Sequence, residues 1–204
     1  MRRSIIVEAL LVAAFSLAST GTAQERDWHE VSVQGTGVLT RNSQGNGIMR
    51  HTTQSGGILV NYRFHFNDWL AAEANYGYTR NTHQYFVTGG PFGVQANAHQ
   101  TTGALVITLP SNIARTEPYV LAGAGALTFD PRFSQVGTNG TPYRQTKPAF
   151  VYGVGSNFNL SPRVALRLEY RGLVYKSPDF GLAMLDSPTT THTAQPSVGF
   201  TIRF

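Results

Sequence analysis

The chain has 204 residues, a formal net charge of +5 and no cysteine. This length fits one domain with a sizeable core, and the lack of cysteine excludes a disulfide scaffold or a thiolate metal site. Charged residues make up only 13% of the chain, against 21 Gly, 12 Phe and 9 Tyr. That composition favours β structure with many turns over a helical protein.

The first 23 residues have the pattern of a cleaved secretory signal. Arg2 and Arg3 precede a short apolar run over residues 9–18, which is followed by small residues that suit cleavage. A membrane-anchoring helix is the alternative, but the run falls well short of the ~20 residues that a span needs. The sequence therefore predicts a signal peptide over residues 1–23 and one exported domain over residues 24–204.

Eight segments of the remaining chain alternate between apolar and polar residues with the period of a β-strand. In the last segment Val198, Phe200, Ile202 and Phe204 share one face. The facing of the fifth segment stays ambiguous, because Gly and Ala occupy both registers. The predicted strands cover residues 30–40, 56–66, 70–79, 94–109, 117–129, 149–160, 163–175 and a closing strand that ends at residue 204.

Long and short connections alternate between these strands. The long connections are residues 41–54, 80–93, 130–148 and 176–190, and the short turns are residues 67–68, 110–116 and 161–162. A soluble β-sandwich does not need this alternation. A transmembrane barrel has it, with short periplasmic turns, longer extracellular loops and strands of about 9–11 residues.

Aromatic residues concentrate at two levels of the predicted strands. Those at the short-turn end are Phe66, Trp69, Tyr119, Phe158 and Phe204. Those toward the long-loop end are Tyr76, Tyr78, Phe129, Phe150, Tyr152, Tyr170 and Tyr175. Two such bands predict girdles at the membrane interfaces, whereas a soluble barrel would turn its aromatics inward. The sequence predicts an all-β, eight-stranded antiparallel up-and-down transmembrane β-barrel in a bacterial outer membrane.

Three stretches carry a family resemblance: NDWLAAEANYGY, EPYVLAGAGALTFDP and SPRVALRLEYRGLVY. They resemble the small outer-membrane β-barrel family, which includes the OmpA transmembrane domain, OmpX and the Opa adhesins, and the similarity covers roughly residues 28–204. The resemblance implies a monomer with a structural or surface role in envelope integrity, adhesion or ligand binding. It also implies that the barrel assembly machinery reads the C-terminal strand, with Phe204 as part of the signal.

Charged residues on the inward faces form the first candidate site. They are Arg63, Glu73, Arg167, Glu169 and Arg171. Side chains fill the interior of an eight-stranded barrel, and an unpaired buried ion costs several kcal/mol. These charges are therefore expected to pair, Arg63 with Glu73 across a tight turn first of all. We favour a structural ion-pair network. The alternative is a gate whose rearrangement opens a narrow channel, as is proposed for OmpA-like lumen pairs.

Basic residues in the long connections form the second candidate site. They are Arg41, Arg50, Arg80, Arg132, Arg144, Lys147 and Lys176, against only Asp130, Asp179 and Asp186. This excess would face the anionic phosphates of lipopolysaccharide, so outer-membrane lipid and lipopolysaccharide are expected partners. Ordinary solvated loops are the alternative, because charged residues are common on any surface.

An enzyme is the remaining class to consider, because lipid A deacylases and palmitoyltransferases also use eight-stranded barrels. Such enzymes need a serine and a histidine within reach of each other, oriented by an acid. The sequence shows no adjacent His–Ser pair on an outward-facing strand. We predict no catalytic residues, no cofactor, no metal site and no nucleic-acid partner, with a lipid A-modifying enzyme kept as an alternative.

Overall fold

A computed structural model describes residues 28–40, 43–45, 48–52, 55–87, 90–134, 143–178 and 190–204. The predicted signal peptide lies outside these residues. Every regular element in the described part of the chain is a β-strand. The strands are β1 (His29–Thr40), β2 (Ser43–Gly45), β3 (Ile48–Thr52), β4 (Ser55–His65), β5 (Leu70–Val87), β6 (Gly90–Thr108), β7 (Thr116–Ser134), β8 (Gln145–Asn159), β9 (Val164–Lys176) and β10 (Thr190–Arg203).

Eight of these strands close into an antiparallel barrel. From β4 to β10 each strand pairs with the next along the chain, β1 pairs with β4, and β1 also pairs with β10 to complete the ring. The short strands β2 and β3 pair with each other, and β3 extends the pairing of β5 beyond the end of β4. No helix in the described ranges is long and apolar enough to cross a membrane. The predicted fold class is confirmed.

The two faces of each barrel strand have opposite character. On β4, Ile58 is 58% exposed and Val60 is also exposed, whereas Asn61 and Arg63, which point to the other face, are buried. This pattern is the reverse of a soluble protein, in which charges face water and apolar side chains fill the core. It is typical of a barrel whose outer wall contacts lipid.

Two of the predicted long connections consist largely of strand. β5 and β6 continue their pairing through residues 80–93 as far as Val87 and Gly90, and β2 and β3 lie within residues 41–54. β7 also runs on to Ser134. Neighbouring strands satisfy the backbone hydrogen bonds there, so pairing does not require an apolar face. The alternation of apolar and polar residues weakens where both faces of a sheet meet water. The strands predicted from the sequence therefore end before the strands of the structure do.

Three aromatic residues assigned to the outer girdles lie inside the barrel instead, and that part of the prediction is wrong. Tyr119, Phe129 and Tyr175 are 2%, 1% and 6% exposed. The register of β7 decides the first two, because its odd-numbered residues face inward. The other aromatics either lie exposed on the outer wall or are partly exposed. The exposed ones are Phe66, Trp69, Tyr76, Tyr78, Phe150, Tyr152 and Tyr170, and the partly exposed ones are Phe158 and Phe204.

The interior of the barrel has two levels. Toward the short-turn end it is filled by charged side chains, described below. Toward the other end it is lined mainly by apolar side chains, which include Val38, Ala98, Leu127, Phe129 and Leu173. The cavity left among them measures about 20 Å³, room for one or two waters at roughly 10–15 Å³ each. Gln100 and Gln195 line this cavity, and each has one buried polar atom without a hydrogen-bond partner.

Candidate functional site

Four carboxylates and four guanidinium groups meet inside the barrel at its short-turn end. The structure brings together all five lumen residues named from the sequence and adds three more. The eight residues of this lumen cluster are Glu30 on β1, Arg63 on β4, Glu73 on β5, Glu117 on β7, Arg167, Glu169 and Arg171 on β9, and Arg203 on β10.

Glu73 receives hydrogen bonds from three arginines. Arg63 opposes it in register and donates from Nε at 2.8 Å, with Nη2 at 2.6 Å from Glu73 Oε2. Arg167 Nη1 donates to the same oxygen at 3.2 Å, and Arg171 Nη2 donates to Oε1 at 2.6 Å. These side chains are at most 2% exposed. Glu73 thus ties together strands from opposite parts of the ring.

Glu30 is the second centre of the lumen cluster. Arg167 Nη2 donates to its Oε2 and Arg203 Nε to its Oε1, each at 2.8 Å. Arg63 Nη1 lies 3.7 Å and His65 Nε2 3.3 Å from the same carboxylate. Glu30 is on the first strand and Arg203 on the last, so this carboxylate bridges the seam at which the barrel closes.

Tyr119 packs into the lumen cluster from β7. Its hydroxyl donates to Glu169 Oε2 at 2.6 Å, and Glu169 also accepts from Arg171 Nε. The Arg63 guanidinium carbon lies 4.3 Å from the Tyr119 ring centroid, within range of a cation–π contact. Gly155 makes room for this ring, because a Cβ at residue 155 would lie 2.5 Å from Tyr119 Cζ.

Glu117 and Arg203 mark the end of the lumen cluster that meets solvent. Arg203 Nη1 donates to Glu117 Oε1 at 3.3 Å and Nη2 donates to Oε2. The Glu117 side chain is 38% exposed, in contrast to the buried carboxylates of Glu30 and Glu73. Carboxylates and guanidinium groups are equal in number, so the lumen cluster is electrically balanced.

Sequence reasoning missed Glu30, Glu117 and Arg203 for two physical reasons. Glu30 and Arg203 lie at opposite ends of the predicted domain, and only ring closure brings them into register. The sequence did contain a signal for these two residues, because pairing the last predicted strand with the first brings Glu30 and Arg203 next to each other. Glu117 was missed because small residues left the facing of its strand undecided.

The basic residues of the second candidate site are spread over strand ends. Arg50 lies on β3, Arg80 on β5, Arg132 on β7, Lys147 on β8 and Lys176 at the end of β9, and Arg144 directly precedes β8. Arg41 lies outside the described residues. Arg80, Arg144 and Lys176 are exposed, whereas Lys147 is half-buried on the inward face of β8, the face that also carries buried Ala149.

Three histidines on the outer wall bond to tyrosine hydroxyls. His29 Nδ1 lies 2.7 Å from Tyr62 Oη, and His99 Nδ1 lies 2.8 Å from Tyr76 Oη. His192 Nε2 lies 2.6 Å from the hydroxyl of Tyr152. Within the described part of the chain, no three His, Asp or Glu side chains are placed to hold a metal ion.

Comparison with known proteins identifies the family. Residues 10–204 match the family model of the outer membrane protein beta-barrel domain. The chain belongs to this outer-membrane β-barrel family. The resemblance inferred from the sequence is thereby confirmed, and the protein is placed in the bacterial outer membrane. No curated protein matches the chain in sequence.

Solved structures of small outer-membrane barrels have a similar fold. Neisserial surface protein A aligns with a TM-score of 0.60 and 11% identity, over 89% of this chain and 100% of its own. OprG of Pseudomonas aeruginosa aligns with a TM-score of 0.59 and 15% identity, over 86% and 95%. Ail of Yersinia pestis aligns with a TM-score of 0.50 and 18% identity, over 86% and 99%. At these identities the similarity concerns the fold.

The outer-membrane location fixes the orientation of the molecule. The short turns and both ends of the described chain face the periplasm, and the long hairpins face outward. Trp69 at the end of a short turn is 55% exposed and sits at the periplasmic interface. A strand rises about 3.3 Å per residue and tilts by roughly 40°, so each residue climbs about 2.5 Å along the membrane normal. The apolar band of about 25 Å then ends about ten residues above Leu70, at the level of Arg80.

Proposed function

We propose that this protein is a non-enzymatic surface protein that binds ligand through the hairpins that rise above its closed barrel. The observation that carries the proposal is the length of β5, β6 and β7, which have 18, 19 and 19 residues. At the climb per residue given above, Val87 is roughly 40 Å above Leu70, well beyond a band of about 25 Å. A sheet formed by β2, β3 and the outer ends of β5, β6 and β7 therefore stands outside the membrane.

The filled lumen supports an anchoring role for the barrel. A narrow channel would have to part the carboxylates of Glu30 and Glu73 from their arginines, and removing one partner from a buried pair costs about 3–5 kcal/mol. The cavity above the lumen cluster has room for only one or two waters. Both features favour a structural network over a gate that opens readily.

The outer-wall histidines also favour a non-enzymatic role. His29, His99 and His192 bond to tyrosine hydroxyls, which are not activated nucleophiles of the kind that acyl transfer requires. His65 lies beside the buried Glu30 carboxylate. If expression of the protein changed the acyl chains of lipid A, as seen by mass spectrometry, the non-enzymatic assignment would be wrong.

The ligand class that fits the outer sheet best is a polyanionic carbohydrate. Arg50 on β3 and Arg132 on β7 both belong to strand segments above the apolar band. Arg132 is the extra residue of a β-bulge, because Gln95 pairs with Phe133 while Ala96 pairs with Pro131. Ail, which has a similar fold, has been crystallised with the heparin analogue sucrose octasulfate.

The remaining partners are proposals that the outer-membrane location supports. We propose that it is a monomer surrounded by outer-membrane lipid and lipopolysaccharide, with no nucleic-acid partner. We also propose that the barrel assembly machinery reads its C-terminal strand, including Phe204, as it does in related barrels.

Binding of heparin to cells that display the protein tests the surface role. We expect the double variant Arg50→Gln/Arg132→Gln to bind immobilised heparin at least about tenfold more weakly, because each lost charge-assisted contact is worth ~1.4 kcal/mol or more. The control is Arg115→Asn, which removes a charge from an exposed periplasmic turn. Arg115 has a φ of 64°, a conformation that asparagine tolerates. Equal binding by all three proteins would contradict recognition through the outer sheet.

A further inference from the structure

The pairing of β1 with β10 has a gap at Pro196. Paired residues run without a break from the periplasmic end of the seam as far as Thr36 and Ser197, and pairing resumes at Leu39 and Ala194. On its other side, β10 pairs with β9 through the proline without a gap. The gap therefore lies on the side of β10 that closes the barrel.

The hydrogen-bonding pattern of the seam explains the gap. His29 and Phe204 exchange both of their backbone hydrogen bonds, at 3.2 and 3.0 Å. In an antiparallel pair of strands, such exchanging pairs recur at every second residue. The pattern therefore places residue 196 opposite Gly37, where its amide would donate to the Gly37 carbonyl oxygen. Proline has no N–H, so this hydrogen bond cannot form.

The Thr36 side chain offers a substitute for the missing donor. Its hydroxyl oxygen lies 3.2 Å from the carbonyl oxygen of Gly37 and 3.1 Å from that of Pro196, and it is placed to donate to either. Pro196 opposes Tyr170, six residues above Val164, and so lies about 15 Å into the apolar band. The core of a bilayer holds no water, so a backbone carbonyl at that depth needs a donor from the protein. The Thr36 hydroxyl is the donor that the fold places beside it.

Proline is unusual at this place in a sheet. It cannot complete a ladder of backbone hydrogen bonds, so within sheets it is found mainly on edge strands. In the closed ring β10 has a neighbour on each side. Before closure, however, β1 and β10 are the two edges of the sheet, and an exposed edge is a template for pairing with another chain. Pro196 lacks its N–H on the edge of β10 that stays open until the ring closes.

The substitution of a hydroxyl for the missing amide works only in the native register. A slip of two residues keeps both faces of the strands, so the alternation of apolar and polar residues does not exclude it. Such a slip places Leu39 or Gly35 opposite Pro196, and the residues before them are Val38 and Gln34. Val38 has no donor, and the Gln34 amide nitrogen lies further from the backbone than a threonine hydroxyl does. In either slipped register the carbonyl opposite the proline therefore loses its donor.

We propose that Pro196 and Thr36 make the closing edge of the sheet selective. Proline weakens the pairing of β10 with any other strand, including the β10 edge of a second copy of the chain. The Thr36 hydroxyl restores the lost hydrogen bond when β1 pairs in the native register. These two residues act in the middle of the seam, whereas Glu30 and Arg203 act at its periplasmic end. This inference concerns how the ring closes and does not rest on the ligand that the outer sheet binds.

A double-mutant cycle in the refolded barrel tests the link between the two residues. We expect Thr36→Val to lower the folding equilibrium constant about tenfold, because it leaves the Gly37 carbonyl without a donor. In a Pro196→Val background the backbone N–H is restored, and the same threonine change should lower the constant by less than about threefold. Urea unfolding in lipid vesicles measures all four proteins.

Two further threonine variants serve as controls. Thr201→Val makes the same change at a buried residue of β10 whose hydroxyl has no hydrogen-bond partner in the described part of the chain, and it should leave stability unchanged. Thr36→Ser keeps the hydroxyl and should stay within about threefold of the wild type. An equal loss on Thr36→Val in both backgrounds, or an equal loss in Thr201→Val, would overturn the inference.

Refolding at raised protein concentration tests the protection of the open edge. Pro196→Val should give at least about twice as much SDS-resistant oligomer as the wild type, because the β10 edge then offers a complete row of donors to a second copy. Pro148→Val is the matched control, since Pro148 lies on β8, which pairs with β7 and β9 and is not the closing edge. A heat-dependent shift in gel mobility shows that each variant reaches the closed barrel. Refolding of Pro196→Val with no more oligomer than the wild type or Pro148→Val would also overturn the inference.

Discussion

At the scale of single residues, the stability of the barrel interior depends on carboxylates that each form ion pairs with several arginines. Glu73 pairs with Arg63, Arg167 and Arg171. Glu30 pairs with Arg167 and Arg203, and Arg63 lies nearby. Buried charges in low dielectric persist only when every partner is in place. The loss of one carboxylate therefore affects several cations at once.

Replacement of Glu73 by glutamine should destabilise the barrel by about 3–5 kcal/mol, because three buried guanidinium groups lose their shared counter-charge. Glu117→Gln is the matched control, since its partly exposed carboxylate contacts mainly Arg203 and should contribute no more than about 1 kcal/mol. Urea unfolding of the refolded barrel in lipid vesicles measures both. Similar losses in the two variants would show that burial does not set the contribution of these carboxylates.

The sequence predicted which charges face inward on the strands with clear alternation. Arg63 and Glu73 could be paired because a tight turn fixes their register. Register across the seam and the facing of β7 depend on contacts between distant strands, so Tyr119 and the ends of the lumen cluster could not be placed from local pattern alone.

At the scale of elements, the seam between β1 and β10 is where the barrel closes. Gly199 opposes Gln34, and a Cβ at residue 199 would lie 2.0 Å from the carbonyl oxygen of Val33. The two strands approach so closely that only glycine fits without a shift of backbone. The seam is also where Glu30 meets Arg203, so close backbone packing and ion pairing act together.

Gly199→Ala should weaken this seam by about 1–3 kcal/mol, the usual range for overpacking. Gly103→Ala is the control, because a Cβ there meets nothing within 4 Å and would point into lipid. The fraction of protein that migrates as folded barrel after refolding, together with its urea midpoint, measures the effect. If both alanine variants refold equally well, the close approach at the seam does not limit closure.

At the scale of the whole molecule, closure gives each of the eight described ring strands a hydrogen-bonded neighbour on both sides, as a strand inside a bilayer requires. The lumen cluster ties the ring together from within, and the outer wall supplies lipid contacts. The barrel is thus stabilised as one unit, with its outer hairpins extending beyond it. Sequence periodicity predicted the ring and its eight strands. It did not predict that the hairpins extend beyond the barrel into water.

The unboiled protein should migrate differently from the boiled protein in SDS gels, because a closed ring resists SDS until it is heated. The matched control is a chain that ends before β10, which cannot close and should show no shift. Outer-membrane fractions of expressing cells provide the sample. A full-length protein with no shift and a soluble periplasmic location would contradict the barrel.

The two ends of the described chain meet in the folded protein. The amide of His29 lies 3.2 Å from the carbonyl oxygen of Phe204, and the amide of Phe204 lies 3.0 Å from that of His29. Because the ring is closed, any of its strands could be the first in the chain. A circular permutant with these ends joined and new ends in an outer hairpin would keep every pair of neighbouring strands. Such a permutant would separate the stability of the ring from the reading of a terminal phenylalanine during assembly.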